Sequence, residues 1–270
     1  MRLLLTNDDG VDCYFLHQLV AALSAAGHDL AVAAPRVEQS WISAAKSRHR
    51  PVHAAAVDKG LGCPTWSIDG TPGDCVAIAV AHLLPDSGWG RPDAVVSGIN
   101  VGFNLSLGFI MASGTIGGAW EGAVQGLPAV AFSQELPMEA FAAWHDSGQQ
   151  PTPELRAILQ QSGKHAATLL PGALAETTGK SWIVHNFNFP YPCQATSEVR
   201  RTVPARVQVA GLFGPADAEG HHRFAFNRGA DLSPSSPLTD RTAVTQGFIS
   251  HTILDYTVLG HPTAITPPAC

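Results

Sequence analysis

Charge is scarce in this chain of 270 residues: Asp, Glu, Lys and Arg together make up 14%, well under the quarter usual for soluble domains. The formal net charge is −6, and basic residues occur only in scattered pairs such as Arg200-Arg201. That excludes a broad surface for a nucleic-acid polymer. An anionic substrate must therefore be met locally, by backbone N–H groups or a metal ion. Cysteine is also sparse. Cys13, Cys63, Cys75, Cys193 and Cys270 are odd in number and widely spaced, and no C-x-x-C occurs. Neither a disulfide framework nor a structural zinc site is expected. The longest apolar stretch, Cys75 to Leu84, is too short to span a bilayer. The first residues read as a strand, not as a signal peptide. A cytoplasmic chain with no membrane partner is the expectation.

Several catalytic signatures are missing as well. There is no G-x-S-x-G elbow, which counts against an α/β-hydrolase. The twelve His residues show neither H-E-x-x-H nor H-x-E spacing. No Walker A loop and no G-x-G-x-x-G is present, so a nucleoside-triphosphate P-loop is disfavoured. His221-His222 reads as an exposed pair, Cys75 as core.

What the chain has in quantity is apolar sequence, 45% of it, enough for a sizeable core. Leu3-Leu4-Leu5 is a buried-strand run. Apolar residues at helical spacing follow from Val11 to Ala26 and stop at Gly27. Leu30–Ala34 is the next strand, so the chain begins β-α-β, the unit of parallel sheets. Weaker strands are expected at Val52–Val57 and Thr65–Ile68. A helix capped by Thr71, with Pro72 at its first position, should run to about Leu84. Asp93–Ser97 is a further strand, Gly98 to Gly114 a Gly-rich loop, Thr115–Gln125 a helix and Ala129–Ser133 a strand. Beyond these, a helix near Pro153–Leu170 and a strand at Trp182–His185 precede a Pro- and Gly-rich remainder with strands at Arg206–Val209, Arg223–Phe226 and Phe248–Ile253. The expected architecture is α/β: a Rossmann-like, mostly parallel sheet flanked by helices, with a β-rich C-terminal extension. One domain over 1–270 is expected, its core in 1–135 and the extension within 136–270.

In such sheets ligands bind beyond the carboxyl ends of the strands. Three strand ends here are polar: Asn7-Asp8-Asp9-Gly10, the segment leading to Ser40, and Ser97-Gly98-Ile99-Asn100. Parallel strands would gather Asp8, Asp9, Ser40 and Asn100 on one rim, a set of hard oxygen donors suited to Mg²⁺, Mn²⁺ or Ca²⁺. Asp8-Asp9 reads equally as an acidic pair at a helix start, favoured by the helix dipole. Ser113-Gly114-Thr115 stands where a Gly-rich loop enters a helix, a natural phosphate cradle. The same residues also serve as a cap with small neighbours for tight packing.

Together these segments resemble the SurE family of metal-dependent nucleotidases, the survival proteins. The matching pieces, in family order, are L-L-L-T-N-D-D-G, A-A-P-R-V-E-Q-S (33–40), D-G-T-P-G-D-C-V (69–76), P-D-A-V-V-S-G-I-N-V-G-F-N (92–104) and S-G-T-I-G-G-A-W-E-G-A-V-Q-G-L-P-A-V-A-F-S (113–133). Later pieces are H-N-F-N-F-P (185–190) and T-D-R-T-A-V-T-Q-G-F-I-S (239–250). The resemblance implies hydrolysis of a phosphate monoester, typically a nucleoside 5′- or 3′-monophosphate. It implies one divalent metal ion per subunit on Asp8, Asp9, Ser40 and Asn100, with Asp8, Asp9 and Asn100 in catalytic roles. Phosphate would bind at Ser113, Gly114 and Thr115, and a homodimer or homotetramer would form through the C-terminal extension.

The chain departs from the family pattern around these residues. Asp12-Cys13-Tyr14-Phe15 is bulkier than usual, Trp41 follows Ser40, and Leu105–Ala112 is apolar where acids are common. Phe15, Trp41, Asn104 and Phe109 are therefore candidates for setting specificity. A larger or more apolar phosphate ester, such as a biosynthetic intermediate, is expected as substrate. Two other readings stand beside this one: a non-catalytic nucleotide- or metal-binding protein, and a sugar-phosphate transferase, whose usual D-x-D is absent.

Overall fold

A computed structural model describes residues 1–258; Cys270 and the end of the expected extension lie outside the described residues. The strands are β1 (Arg2–Thr6), β2 (Asp29–Pro35), β3 (Ala54–Ala56), β4 (Thr65–Ile68), β5 (Ala94–Val101), β6 (Ala129–Gln134), β7 (Ile183–Phe189), β8 (Val199–Thr202), β9 (Val207–Gln208), β10 (Ala230–Asp231) and β11 (Ile249–Asp255). The helices are α1 (Tyr14–Ala25), α2 (Pro72–Ile78), α3 (Leu84–Asp86), α4 (Ser106–Ala112), α5 (Gly114–Val124), α6 (Met138–Asp146), α7 (Pro153–Ala175) and α8 (Asp240–Thr245). Among the described residues nine strands form one sheet in the order β3-β4-β2-β1-β5-β6-β7-β11-β8. From β4 through β7 all neighbours run parallel. β3 and β11 are antiparallel to β4 and β7. The protein is thus an α/β fold on a mostly parallel sheet. The chain leaves β1 for β2 on one side and returns to β5 on the other, so the crevice beyond β1 and β5 is the topological switch point.

Leu3, Leu4 and Leu5 are all fully buried, because helices cover both faces and a strand so placed can be apolar throughout. Leu3 and Leu5 pack with Phe15, Leu16, Leu19 and Leu23 of α1 and with α7; Leu4 packs with Cys75 and Val76 of α2. Burying each such side chain contributes about 1.5–3 kcal/mol. α1 begins three residues later than the spacing predicts, since Cys13 N–H bonds Gly10 O in a turn. At α2 the expected start is found: Thr71 and Asp74 form a reciprocal capping box with Pro72 in the first turn.

Other expectations need correcting. The stretch expected to be a loop from Gly98 to Gly114 carries the end of β5 and the whole of α4. α7 continues past Pro171 to Ala175, where burial of Ala173 and Leu174 outweighs the lost backbone bond. β11 joins the main sheet beside β7. No strand forms over Arg223–Phe226. Only an isolated bridge links Phe213 and Phe224; Phe224 and Phe226, both partly exposed, stand instead against Trp41.

β7 and β11 hold a buried histidine pair. His185 Nδ1 lies 2.8 Å from His251 Nε2, and His185 Nε2 lies 2.7 Å from Thr177 Oγ1. Thr177 Oγ1 is 3.0 Å from the Ala173 carbonyl, to which it must donate. With both rings neutral, a chain from His251 N–H to His185, His185 N–H to Thr177 and Thr177 O–H to Ala173 satisfies these contacts. Arg201 Nη1 lies 3.4 Å from His251 Nε2, a longer contact than that between the two rings. Burial, followed by the charge of Arg201 and by His185, pushes His251 down to about 3; burial lowers His185 too. Between pH 3 and 6.5 the folded state therefore binds fewer protons than the unfolded chain, and stability is lost as pH falls through that window. Urea melts at pH 7 and pH 5 are expected to show the parent losing about 2 kcal/mol through His251. His251→Asn should lose correspondingly less, whatever its absolute stability; an unchanged pH dependence overturns this assignment.

Candidate active site

The loop after β1 is tied down before any functional group is placed. Asn7 Nδ2 donates to Gly10 O at 2.9 Å. Gln39 N–H donates to Asp8 O at 2.7 Å, and Val11 N–H to Pro35 O at 2.8 Å. The ends of β1 and β2 are thereby joined. Gly10 sits at φ +100°, which lets the chain turn there. Asp8 is buried and Asp9 half-buried, and their side chains do not separate to opposite faces because the strand has already ended.

β5 delivers the third part. Its register shifts between Ser97 and Asn100. Asn100 Nδ2 donates to Gly102 O at 2.9 Å, leaving Oδ1 toward Thr115, whose Oγ1 lies 3.0 Å away. Thr115 Oγ1 is also 2.5 Å from Asp8 Oδ1. Its single proton goes to the nearer carboxylate, so Thr115 bonds Asp8 and lies beside the Asn100 oxygen. Asp9 Oδ2 accepts from Val101 N–H at 3.0 Å. Ser40 is exposed on the loop after β2 and lines the same cavity as Asp8, Asn100 and Ser113.

Ser113 caps α5, its Oγ accepting from Ile116 N–H at 3.1 Å. A Cβ on Gly114 would lie 2.8 Å from Asp8 Cβ and Oδ2; glycine there lets the helix start press against the carboxylate. Thr115 is fully buried behind Asp8. Ser113-Gly114-Thr115 thus fill the capping and packing role, and of the three only Ser113 lines the cavity.

The electrostatics favour a cation. Burial pushes Asp8 up to about 6, opposed in part by hydrogen bonds from Thr115. Burial and then the charge of Asp8 push Asp9 well up. The charge of Glu38 raises both. Among the described residues neither Asp8 nor Asp9 forms an ion pair, and Asn7 Oδ1 beside them is buried without a partner. One buried and one half-buried carboxylate, a third acid nearby, no basic side chain paired with either and further oxygen donors on the rim fit a hard divalent ion. Glu38 was not singled out from the sequence. Its place two residues before Ser40, on the same rim, was the available signal.

The cavity beyond these groups has a volume of about 380 Å³ and aromatic walls. Trp41 stands edge-on to Phe109 and Phe224, with ring centroids 5.6 and 5.0 Å away. Phe103 stands edge-on to Phe109 at 5.2 Å. The specificity candidates Trp41, Asn104 and Phe109 all line it. The Asn104 amide is tied to Ser133 Oγ at 2.9 Å, and its backbone N–H to Asn188 Oδ1 at 2.8 Å. Phe15 does not line it: its ring is fully buried against Trp144 in the core, because α1 turns that residue under the sheet. Phe224, Phe226 and Arg228 were missed. They reach the cavity through an irregular segment whose course no periodicity announces.

A family model described as survival protein SurE matches residues 3–210. A 5′-nucleotidase SurE from Maridesulfovibrio salexigens is 34% identical over 95% of this chain and 93% of its own length. One from Roseobacter denitrificans is 31% identical over 97% and 96%. The crystal structure of the SurE protein from Aquifex aeolicus superposes with a TM-score of 0.69 at 25% identity, covering 96% of this chain and 97% of that one.

Proposed function

The chain belongs to the SurE family of survival proteins, and on that premise we propose that it is a divalent-metal-dependent phosphomonoesterase. The reading rests above all on two adjacent carboxylates without a counter-ion, Asp8, buried at the start of α5 and lining an aromatic cavity, and the half-buried Asp9. Asp8, Asp9, Ser40 and Asn100 would hold one Mg²⁺, Mn²⁺ or Ca²⁺ per subunit. When bound, such an ion polarises a phosphoryl oxygen and acidifies a bound water.

The chain's own groups do the positioning. Thr115 holds Asp8 by its hydroxyl, and the backbone of Val101 holds Asp9. Ser113, Gly114 and Thr115 receive the phosphate; the positive end of α5 and the first-turn N–H groups there suit the equatorial oxygens. Trp41, Phe109, Phe224 and Phe226 exclude water from the alcohol portion and offer it flat apolar surface. The substrate is thus a nucleoside monophosphate or a related, larger or more apolar ester, and the aromatic wall favours the second.

The deciding experiment is a panel of phosphate esters that includes AMP, GMP and aryl phosphates, assayed with EDTA, Mg²⁺ or Mn²⁺. Phosphate release should vanish with EDTA and return with metal. Aryl esters should exceed AMP and GMP in kcat/KM by about tenfold, a gain of roughly 1.4 kcal/mol in apolar contact. No release from any ester ends the phosphomonoesterase reading and leaves the non-catalytic one. Equal or better turnover of AMP and GMP ends the apolar part.

The reading extends to one domain over 1–270, with the ligand-bearing core in 1–135 and the remainder completing the cavity. It includes a cytoplasmic homodimer or homotetramer held by the C-terminal extension. Among the described residues no helix is long and apolar enough to cross a membrane. Light scattering that gives a monomer removes the oligomer, and fractionation with membranes or outside the cell removes the compartment.

A further inference from the structure

We propose that Arg228 is a second recognition point in the cavity, for a neutral hydrogen-bond acceptor such as an amide carbonyl, on the substrate's alcohol portion remote from the phosphate. This rests on the phosphomonoesterase reading. Among the described residues Arg228 is the only Lys, Arg or His that lines the cavity. Its guanidinium is held in place. Nη2 donates to Glu135 Oε1 at 2.5 Å and lies 3.3 Å from Leu136 O, and the group sits 5.0 Å from the Phe103 ring centroid. Nε–H and the Nη1 hydrogens have no protein acceptor among the described residues. A fixed planar fork with free donors is suited to a substrate oxygen.

The aromatic walls beside it offer no comparable acceptor. Arg228 also lines a neighbouring cavity of about 410 Å³, so the acceptor has room where the two meet. The charge of the site selects the acceptor. Glu135 already pairs with Arg228, and its Oε2 is buried without a partner. An incoming carboxylate would meet that acid, whereas a neutral carbonyl takes the free donors without repulsion.

Four matched esters test it: phenyl phosphate and its 4-carbamoyl, 4-carboxy and 4-isopropyl derivatives, with kcat/KM measured for each. The carbamoyl ester should exceed its isopropyl isostere by about tenfold, and should also exceed the carboxy ester. Arg228→Met should bring the carbamoyl-to-isopropyl ratio near one, and Arg228→Lys should keep part of it. Glu135→Gln should shift preference toward the carboxy ester. Because Arg228→Met strands Glu135, the double variant Glu135→Gln/Arg228→Met is measured alongside; ratios between substrates do not depend on the fraction folded. A parental carbamoyl-to-isopropyl ratio near one, or one that survives Arg228→Met, overturns the proposal. A Glu135→Gln variant without the shift overturns the neutral-acceptor assignment. If no ester releases phosphate, the phosphomonoesterase reading fails, and calorimetric binding of the same four esters decides Arg228 by the same ratios.

Discussion

Asp8→Asn and Asp9→Asn are each expected to lower metal-dependent phosphate release by roughly a thousandfold, about 4 kcal/mol of transition-state stabilisation, while the chain stays folded. Asparagine keeps the shape and an acceptor oxygen, so Thr115 and Val101 retain their partners. It removes the charge that would hold the ion. The effect on stability has the opposite sign from the usual buried-acid deletion. Burial raises both carboxyls, so in the metal-free protein ionisation costs stability as pH rises from 3.8 through about 6. At pH 7.5 and without metal, each variant should melt at or above the parental temperature. With saturating Mn²⁺ the order should reverse, because only the parent gains from binding. Parental turnover in either variant refutes the ligand role. A metal-free variant that melts well below the parent shows that the pair is instead a structural cap.

Gly98→Ala is expected to destabilise the protein by about 3 kcal/mol or more. The residue has φ +124°, and a Cβ there would lie 2.2 Å from Phe132 O and 3.1 Å from Asn100 N. Neither atom belongs to a flexible side chain: the first is on β6, and the second sits where β5 turns Asn100 toward the rim. The damage should therefore reach activity as well as folding. Gly108→Ala is the control, a helical glycine with nothing within 4 Å of the added carbon, expected to be neutral or stabilising by up to about 1 kcal/mol. Urea melts measure both. A Gly98→Ala protein within 1 kcal/mol of the parent would mean that β5 and β6 separate there at little cost.

The local parts of this molecule were legible because local physics decides them. Leu3-Leu4-Leu5, the stripe of α1, Thr71 with Pro72, and the alternation of strands and helices follow from side-chain periodicity and backbone geometry alone. They led to an α/β sheet and to Asp8, Asp9, Ser40 and Asn100 as a candidate set on one rim, with the resemblance to the survival proteins pointing to the same residues. The tertiary structure decided what sequence separation hides. It put Thr115 behind Asp8 and brought Glu38 into the field of both acids. It sent Phe15 into the core, since a ring that follows the Asn7–Gly10 loop in sequence lies on the buried stripe of α1. It also brought Phe224, Phe226 and Arg228 across more than a hundred residues to face Trp41 and Phe103. An irregular segment carries no period from which its landing place can be read. Its position is set by the apolar surface it covers, and that surface exists only once the sheet has formed.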